Sequence, residues 1–235
     1  MDLHSLDIFM KVAVFLLAIS VHESAHAWTA GRYGDPTATL LGRVSLNPIR
    51  HIDPVGTVLL PAIGIISGFG AFGWAKPTPV DPRNFKEPMK ADIMTSVAGP
   101  ASNFILVAIA FGIAAAILAI APAGHDNLVL AVEQMFQKES VSVPGGLSVL
   151  FPVMLFLMEM IFINVLLGIF NLVPLPPLDG SHVVRHVMPE EMRKAYDTIG
   201  MIGLFAFVIW GGRILGMLIS PVLGILFGML GRIHG

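Results

Sequence analysis

The chain has 235 residues, of which 55% are hydrophobic and only 13% are charged, whereas soluble domains carry roughly 25% charged residues. With a mean hydropathy of +0.79, it has too few charges to cover the surface of a water-soluble globule. The composition excludes an ordinary cytosolic enzyme and a disordered chain. The 14 Lys and Arg against 16 Asp and Glu leave no basic excess, which excludes a nucleic-acid binder. We expect a protein that crosses the lipid bilayer several times.

Four apolar runs are long enough to cross a bilayer, which takes about 20 residues each. They cover residues 8–30, 93–121, 147–173 and 199–230. The last run is too long for one crossing, and the sequence Gly211-Gly212-Arg213 together with Pro221 predicts a break within it. A weaker run at 55–72 is rich in glycine and interrupted by Pro61. It either crosses the membrane or enters it and returns.

The basic loops decide between these alternatives, because loops rich in Lys and Arg stay on the cytoplasmic side. Lys and Arg recur in loops 31–53, 73–91 and 180–197, whereas 122–146 has only Lys138. The three basic loops lie on one face only if the run at 55–72 re-enters, which is allowed where backbone lines a wet cavity or packs in protein. We therefore predict an all-α polytopic membrane protein with about 4–6 transmembrane segments and a re-entrant Gly-rich loop.

A short β-element is also expected between the first and second full spans. Residues 39–46 alternate between polar and apolar side chains, which is typical of a strand. With the glycines that follow, this pattern predicts that the Gly-rich region 40–73 offers a free strand edge to an unwound substrate segment, by strand addition.

The first apolar run contains the sequence His22-Glu23-Ser24-Ala25-His26. Side chains four residues apart share a helix face, so both imidazoles can reach one zinc ion. Zinc lowers the pKa of a bound water towards 7, and a carboxylate such as Glu23 can take the proton of that water. Chance matches to this pattern are common in soluble helices, but each ionisable residue near the bilayer centre costs about 2.5–3.5 kcal/mol. The pattern therefore predicts a zinc hydrolase site.

The third zinc ligand is not fixed by this pattern alone. A protease zinc site usually has three protein ligands and one open position, and the chain has no cysteine. The candidates are His51, Asp53, Glu159, Asp179, His182 and His186. Like the histidine pair, Asp179 stands near the C-terminal end of an apolar run. The two motifs meet only if their spans are parallel, which again requires that residues 55–72 do not cross.

The other candidates are interpreted as structural. His51 and Asp53 are close enough in sequence to bond to each other in a loop, and Glu159 is expected to be paired within the helix bundle. His182 and His186 are interpreted as residues of the membrane interface.

Three motifs in this order resemble the site-2 protease family of intramembrane zinc metalloproteases, peptidase family M50. They are the His22–His26 pair, Gly99-Pro100-Ala101-Ser102-Asn103 in the next full span, and Asn171…Pro174…Leu178-Asp179-Gly180 after the third span. Residues 47–54 and 73–77 are similar to the short bacterial and archaeal branch, which lacks an accessory domain. The resemblance covers residues 12–182.

The resemblance implies one zinc ion bound by His22, His26 and Asp179, with Glu23 activating the attacking water. It places Asn103 and Asn171 near the site, where their amides would hold substrate backbone or an oxyanion. A hydrogen bond between helices is the alternative for each asparagine. The expected substrates are membrane proteins with transmembrane helices, and the expected location is a bacterial or archaeal cell membrane. A single metalloprotease domain is expected over residues 1–235, with a catalytic core at 8–182 and C-terminal helices at 198–233.

Two other functions also place ionisable residues in membrane spans. A divalent-cation transporter usually has ligands at mid-membrane and often a repeated architecture, whereas these ligands lie towards one side and the sequence shows no repeat. A non-catalytic protein that binds membrane helices is expected to have lost Glu23 or Asp179, and both are present. Zinc-dependent proteolysis is therefore the preferred interpretation.

Overall fold

The computed structural model describes residues 3–59, 74–121, 123–136 and 148–233, which form helices joined by turns. The helices are α1 (Leu3–Arg32), α2 (Thr37–Leu40), α3 (Pro88–Ile120), α4 (Gly124–Phe136), α5 (Leu150–Asn171), α6 (Asp179–Val187), α7 (Glu190–Trp210) and α8 (Gly212–Leu230). Two 3-10 turns, Pro48–Arg50 and Pro82–Asn84, and a π-helical segment, Pro54–Leu59, lie between α2 and α3.

Four of these helices, α1, α3, α5 and α8, are long and apolar enough to cross a membrane. This confirms the prediction of an all-α polytopic membrane protein. In the most apolar stretch of α5, 61% of the residues are buried inside the protein, against 17–28% in the other three helices. The central helix of the bundle is therefore α5, and the other three present much of their surface to lipid.

The core of the bundle forms where α5 packs against α1, α3, α4 and α8. Its fully enclosed side chains include Phe151, Met154, Leu155, Met158 and Ile161. Lipid tails are as apolar as these side chains, so the helices gain little from hiding them from lipid. Close packing and dispersion contacts between the helices therefore hold the bundle together.

The polar contacts fix the directions of α1 and α5. Lys11, near the start of α1, lies 3.6 Å from Glu159 in the first half of α5. His22, in the second half of α1, lies 3.2 Å from Asp179, which follows the end of α5. The two helices are therefore parallel, as the sequence predicted. Among the described residues, α3 is the one candidate span that lies between them in the chain.

The run at 55–72 is described only at its beginning, because residues 60–73 lie outside the described residues. The N–H of Trp74 donates to the carbonyl of Gly56 over 3.2 Å, and the hydroxyl of Thr57 donates to the carbonyl of Trp74 over 2.7 Å. A Cβ added at Gly56 would lie 2.4 Å from the Trp74 indole, so a larger residue does not fit there. Residues 56 and 57 therefore lie beside residue 74, and the re-entrant course of the run between them stays a prediction.

The strand expected at residues 39–46 was a wrong prediction, and no strand occurs in the described ranges. Thr37–Leu40 forms the helical turn α2 instead. Gly42 then adopts the left-handed backbone conformation at φ +68. The N–H of Gly42 bonds to the carbonyl of Thr39, and the N–H of Arg43 bonds to the carbonyl of Ala38. This is the glycine-dependent end of a helix, and it occupies the backbone groups that a strand would use.

The break predicted in the C-terminal run is confirmed at Gly211. The helix α7 ends at Trp210, and α8 begins at Gly212. The N–H of Gly211 bonds to the carbonyl of Phe207 over 2.7 Å, and a Cβ added at Gly211 would lie 2.3 Å from that oxygen. A residue with a side chain therefore does not fit at this position without a shift of the backbone. Pro221, in contrast, lies inside α8 without ending it.

Candidate metal centre

The two imidazoles of the HExxH sequence are buried and face each other in the second half of α1. His22 and His26 are 7% and 8% exposed, and their Nε2 atoms lie 3.0 Å apart. The planes of the two rings stand at 83° to each other. One helical turn thus brings both Nε2 atoms to one point, as the spacing predicts.

The opposite nitrogen of each ring is held by an acceptor on α3. Nδ1 of His26 lies 2.7 Å from the carbonyl oxygen of Thr95, and Nδ1 of His22 lies 2.7 Å from Oδ1 of Asn103. A carbonyl oxygen can only accept, so Nδ1 carries the proton in both neutral rings. Each Nε2 then presents a lone pair, which is the form of histidine that binds a metal.

A second asparagine fixes the orientation of the Asn103 amide. Nδ2 of Asn103 donates to Oδ1 of Asn164 over 2.8 Å, and Nδ2 of Asn164 donates to the carbonyl of Met160 over 2.8 Å. This chain ends on a backbone acceptor, so Oδ1 of Asn103 must point at His22. Both asparagines are fully buried. The bonds therefore link α1, α3 and α5 behind the first imidazole.

Asp179 supplies a carboxylate to the same point. Its Oδ2 lies 3.2 Å from Nε2 of His22, and its Oδ1 lies 3.4 Å from Nε2 of His26. Asp179 is the first residue of α6, where the helix N-terminus favours a negative charge. A Cβ added to the next residue, Gly180, would lie 2.2 Å from the carbonyl oxygen of Leu172. Glycine is therefore required for the chain to turn Asp179 towards the histidines.

The spacing of these donors fits a zinc ion. The two Nε2 atoms lie 3.0 Å apart, and the Asp179 carboxylate lies 3.2 Å from Nε2 of His22 and 3.4 Å from Nε2 of His26. Ligand atoms about 2.0–2.2 Å from a tetrahedral zinc lie roughly 3.3–3.6 Å from one another. Oδ2 of Asp179 is buried and accepts no hydrogen bond from the described residues, although a buried carboxylate oxygen normally has a partner. Two imidazoles and one carboxylate also form a common donor set of catalytic zinc sites.

Glu23 lies beside these donors with its carboxylate held by Thr78. Oε2 of Glu23 accepts from the N–H of Thr78 over 2.9 Å and from its hydroxyl over 2.7 Å. A carboxylate oxygen of Glu23 and one nitrogen from each of the two imidazoles all lie within 4.8 Å of one another. The carboxylate is therefore oriented by the segment that follows Trp74, and it stands where it can take a proton at the metal position.

Gly99 allows α3 to approach both imidazoles. A Cβ added there would lie 2.4 Å from Nε2 of His26 and 2.6 Å from Nε2 of His22. Real Cβ atoms do not approach other atoms so closely. The absence of a side chain at this position is therefore part of the site.

Asn171 lies at the end of α5, near the turn that leads to Asp179. Its Nδ2 donates to the carbonyl of Leu167 over 3.0 Å. The amide of Asn103 is occupied by His22 and Asn164. A role in holding substrate or an oxyanion stays a prediction for both Asn103 and Asn171.

The structure places the remaining ligand candidates elsewhere. Nε2 of His51 bonds to the carbonyl of Ser45, and Asp53 accepts from the N–H groups of Val55 and Gly56. Glu159 lies by Lys11, towards the other end of α1. His182 and His186 bond to Asp92 at the start of α3.

Sequence reasoning missed Thr78, Thr95, Asn164 and Asp92. Asn164 carried a signal, since a polar amide within an apolar run is costly. Thr95 acts through its backbone carbonyl, which every residue type has. Thr78 and Asp92 lie far in sequence from the residues that they contact, so only the fold reveals their partners.

The profile of peptidase family M50 matches residues 10–210. YwhC of Bacillus subtilis, which is named a zinc metalloprotease, is 34% identical over 199 residues, covering 84% of this chain and 78% of YwhC. Rip2 of Mycobacterium tuberculosis, also named a zinc metalloprotease, is 27% identical and covers 88% of this chain and 71% of Rip2. No solved structure matches the chain. The converging histidines, the four apolar helices and these matches agree: the chain belongs to peptidase family M50 and is a multi-pass membrane zinc metalloprotease.

Proposed function

We propose that the enzyme hydrolyses peptide bonds within or near the transmembrane segments of membrane proteins. The observation that carries the proposal is the convergence of His22, His26 and Asp179 inside a bundle of apolar helices. A site built among membrane spans is reached most directly by substrates that lie in the same bilayer. Membrane proteins with transmembrane helices are therefore the proposed substrate class.

His22, His26 and Asp179 would hold a single zinc ion. The ion, when bound, would supply Lewis acidity to a carbonyl oxygen and to a water molecule. The two imidazoles contribute neutral nitrogen donors, since their Nδ1 protons are used by Asn103 and Thr95. Asp179 contributes one negative charge. The two neutral imidazoles and this carboxylate form an anionic ligand set, which suits a divalent cation.

Glu23 is the proposed general base. Thr78 donates to Oε2 and so fixes the plane of the carboxylate. The other oxygen, to which no described residue donates, would take a proton from the attacking water and pass it to the leaving amine. A hydrogen-bonded carboxylate that does not rotate loses little entropy when it enters the reaction.

The depth of the site suits the entry of water from one side. His26 lies six residues before the end of α1 at Arg32, which is about 9 Å along a helix axis. Water therefore has to travel only part of the bilayer thickness from the predicted cytoplasmic face. Asn171 and Asn103 are the proposed amides near the substrate backbone or oxyanion.

Residues 1–235 are further proposed to form one metalloprotease domain, with a catalytic core at 8–182 and C-terminal helices at 198–233. The supporting observation is a shared core: Ile219, Leu223 and Leu230 of α8 belong to the same buried cluster as Val14 of α1 and Phe151 of α5.

The substrate class is tested by co-expressing a panel of single-span membrane proteins with either the wild type or Glu23→Gln. Fragments cut in or beside the span, found by mass spectrometry only with the wild type, are the expected result. The same proteins without their spans serve as controls and are expected to remain intact. Identical fragment patterns in the two strains would contradict the proposal.

A further inference from the structure

The contacts described above for Nδ1 of His22 and Nδ1 of His26 come from one face of α3. Thr95, Gly99 and Asn103 are spaced four residues apart and so lie along one stripe of the helix. Thr95 bonds to His26, Asn103 bonds to His22, and Gly99 makes room for both rings. Asp92, three residues before Thr95, continues the same stripe towards the start of the helix.

Asp92 contacts the helix that begins with the third ligand. Its two oxygens lie 3.2 and 3.3 Å from Nδ1 of His182, and Oδ2 lies 2.7 Å from Nε2 of His186. Asp179, His182 and His186 occupy positions i, i+3 and i+7 of α6 and so share one face. The face that presents Asp179 to the metal position is therefore the face that Asp92 holds.

These contacts are partly shielded from water. The side chains of Asp92 and His186 are each 23% exposed, and that of His182 is 42% exposed. The hydrogen bond to Asp92 raises the pKa of His182 above its ordinary value. One carboxylate bonded to two imidazoles on the same helix face fixes the position of that helix at two points.

The helix α6 needs such external contacts. It has nine residues, Asp179–Val187, and helices shorter than about 12–15 residues are marginal on their own in water. It packs on α3. A metal ligand must be held within about 0.5 Å of its productive position. The turn at residues 172–178 restrains Asp179 only from its N-terminal side, so the rest of α6 must be held by other contacts.

We propose that Asp92 is a positioning residue: through His182 and His186 it sets α6 on α3 so that Asp179 reaches the metal. The stripe on α3 then positions all three ligands, the histidines directly and the aspartate through α6. The inference rests on the zinc ligand set given under the proposed function. It adds Asp92 to the residues of the site, although Asp92 belongs to none of the sequence motifs and does not contact the metal position itself.

The test measures zinc affinity of the full-length protein in detergent, by competition with a chelator, for the wild type, Asp92→Ala and the double variant His182→Ala/His186→Ala. Loss of a residue that orients a ligand typically weakens metal affinity about 10–100-fold, and this range is expected for both variants. Combining all three substitutions is expected to weaken zinc binding little further, because the single and the double variant remove the same contacts between Asp92 and the two histidines. The absorption spectrum of the cobalt-substituted protein is expected to change in the same variants.

Asp197→Ala is the matched control. Asp197 pairs with Arg185 of α6 over 3.1 Å, so its loss removes an ion pair from the same helix without touching Asp92. Its zinc affinity is expected to stay within about twofold of the wild type, since exposed ion pairs contribute little. Asp92→Leu keeps the branched shape of the side chain without a hydrogen-bond acceptor and serves if Asp92→Ala does not fold.

Three results would overturn the inference. Unchanged zinc affinity and an unchanged cobalt spectrum in folded Asp92→Ala or Asp92→Leu would show that α6 is positioned without Asp92. An equal loss of zinc affinity in the control Asp197→Ala would show a general effect of disturbing α6. A second equivalent of zinc bound by the wild type and lost in Asp92→Ala would make the cluster a metal site instead. Failure of the wild type to bind zinc would contradict the proposed ligand set itself, which separates the two proposals.

Discussion

Glu23→Gln is expected to keep one zinc ion per chain and to lose roughly 10²–10⁴-fold in cleavage rate, the usual contribution of general base catalysis. Glutamine has nearly the same shape as glutamate, and its carbonyl oxygen can still accept the hydrogen bonds from Thr78. The amide, however, cannot take a proton from the attacking water. Metal content and cleavage of a single-span substrate would be measured on the same purified samples.

The matched control for this substitution is Glu133→Gln, which removes an exposed carboxylate from α4. It is expected to leave both zinc content and cleavage unchanged. Wild-type activity in Glu23→Gln would contradict the role of Glu23 as base. Loss of zinc together with activity would instead assign Glu23 to the ligand set.

Gly99→Ala is expected to weaken zinc binding about 10–100-fold, as does the loss of a group that orients a ligand, and to reduce cleavage accordingly. The new methyl group would lie 2.4 Å from Nε2 of His26 and 2.6 Å from Nε2 of His22. Both rings are buried, so they cannot move into solvent. Either the imidazoles leave their positions or α3 moves away from α1, and overpacking of this kind costs about 1–3 kcal/mol of stability.

Gly112→Ala provides a control on the same helix. A Cβ at Gly112 meets no atom of the described residues within 4 Å, so this variant gains the same methyl group and the same helix propensity without a clash. It is expected to match the wild type in zinc affinity and cleavage and to be at least as stable to heat, since alanine favours a helix over glycine. If Gly99→Ala also matched the wild type in all three, the close approach of α3 to the metal position would be excluded.

The sequence was most informative where chemistry depends on local spacing. The four-residue interval between His22 and His26 predicts that both rings meet on one helix face, and the structure brings their Nε2 atoms to 3.0 Å. The break at Gly211 was likewise visible, because adjacent glycines interrupt an apolar run. Asp179 could be singled out only by combining topology with the family resemblance, since spacing along the chain left several candidates open.

Contacts between distant segments could not be predicted in this way. Thr78 reaches Glu23 across 55 positions of sequence, and Asp92 reaches His186 across 94, so no local pattern relates them. The error at residues 39–46 has a local cause. Alternating polarity suggested a strand, whereas Gly42 closes α2 in a conformation that only glycine adopts easily.

The central claim is that His22, His26 and Asp179 bind one zinc ion together. It is tested most directly by the zinc content per chain of protein purified without a histidine tag, for the wild type, His22→Ala, His26→Ala and Asp179→Ala, with His125→Ala of α4 as the control. The expected result is one zinc per chain in the wild type and the control, and less than about a tenth of that in each ligand variant, since loss of a ligand removes much of the binding free energy. Full zinc content in folded Asp179→Ala or in either histidine variant would contradict the account.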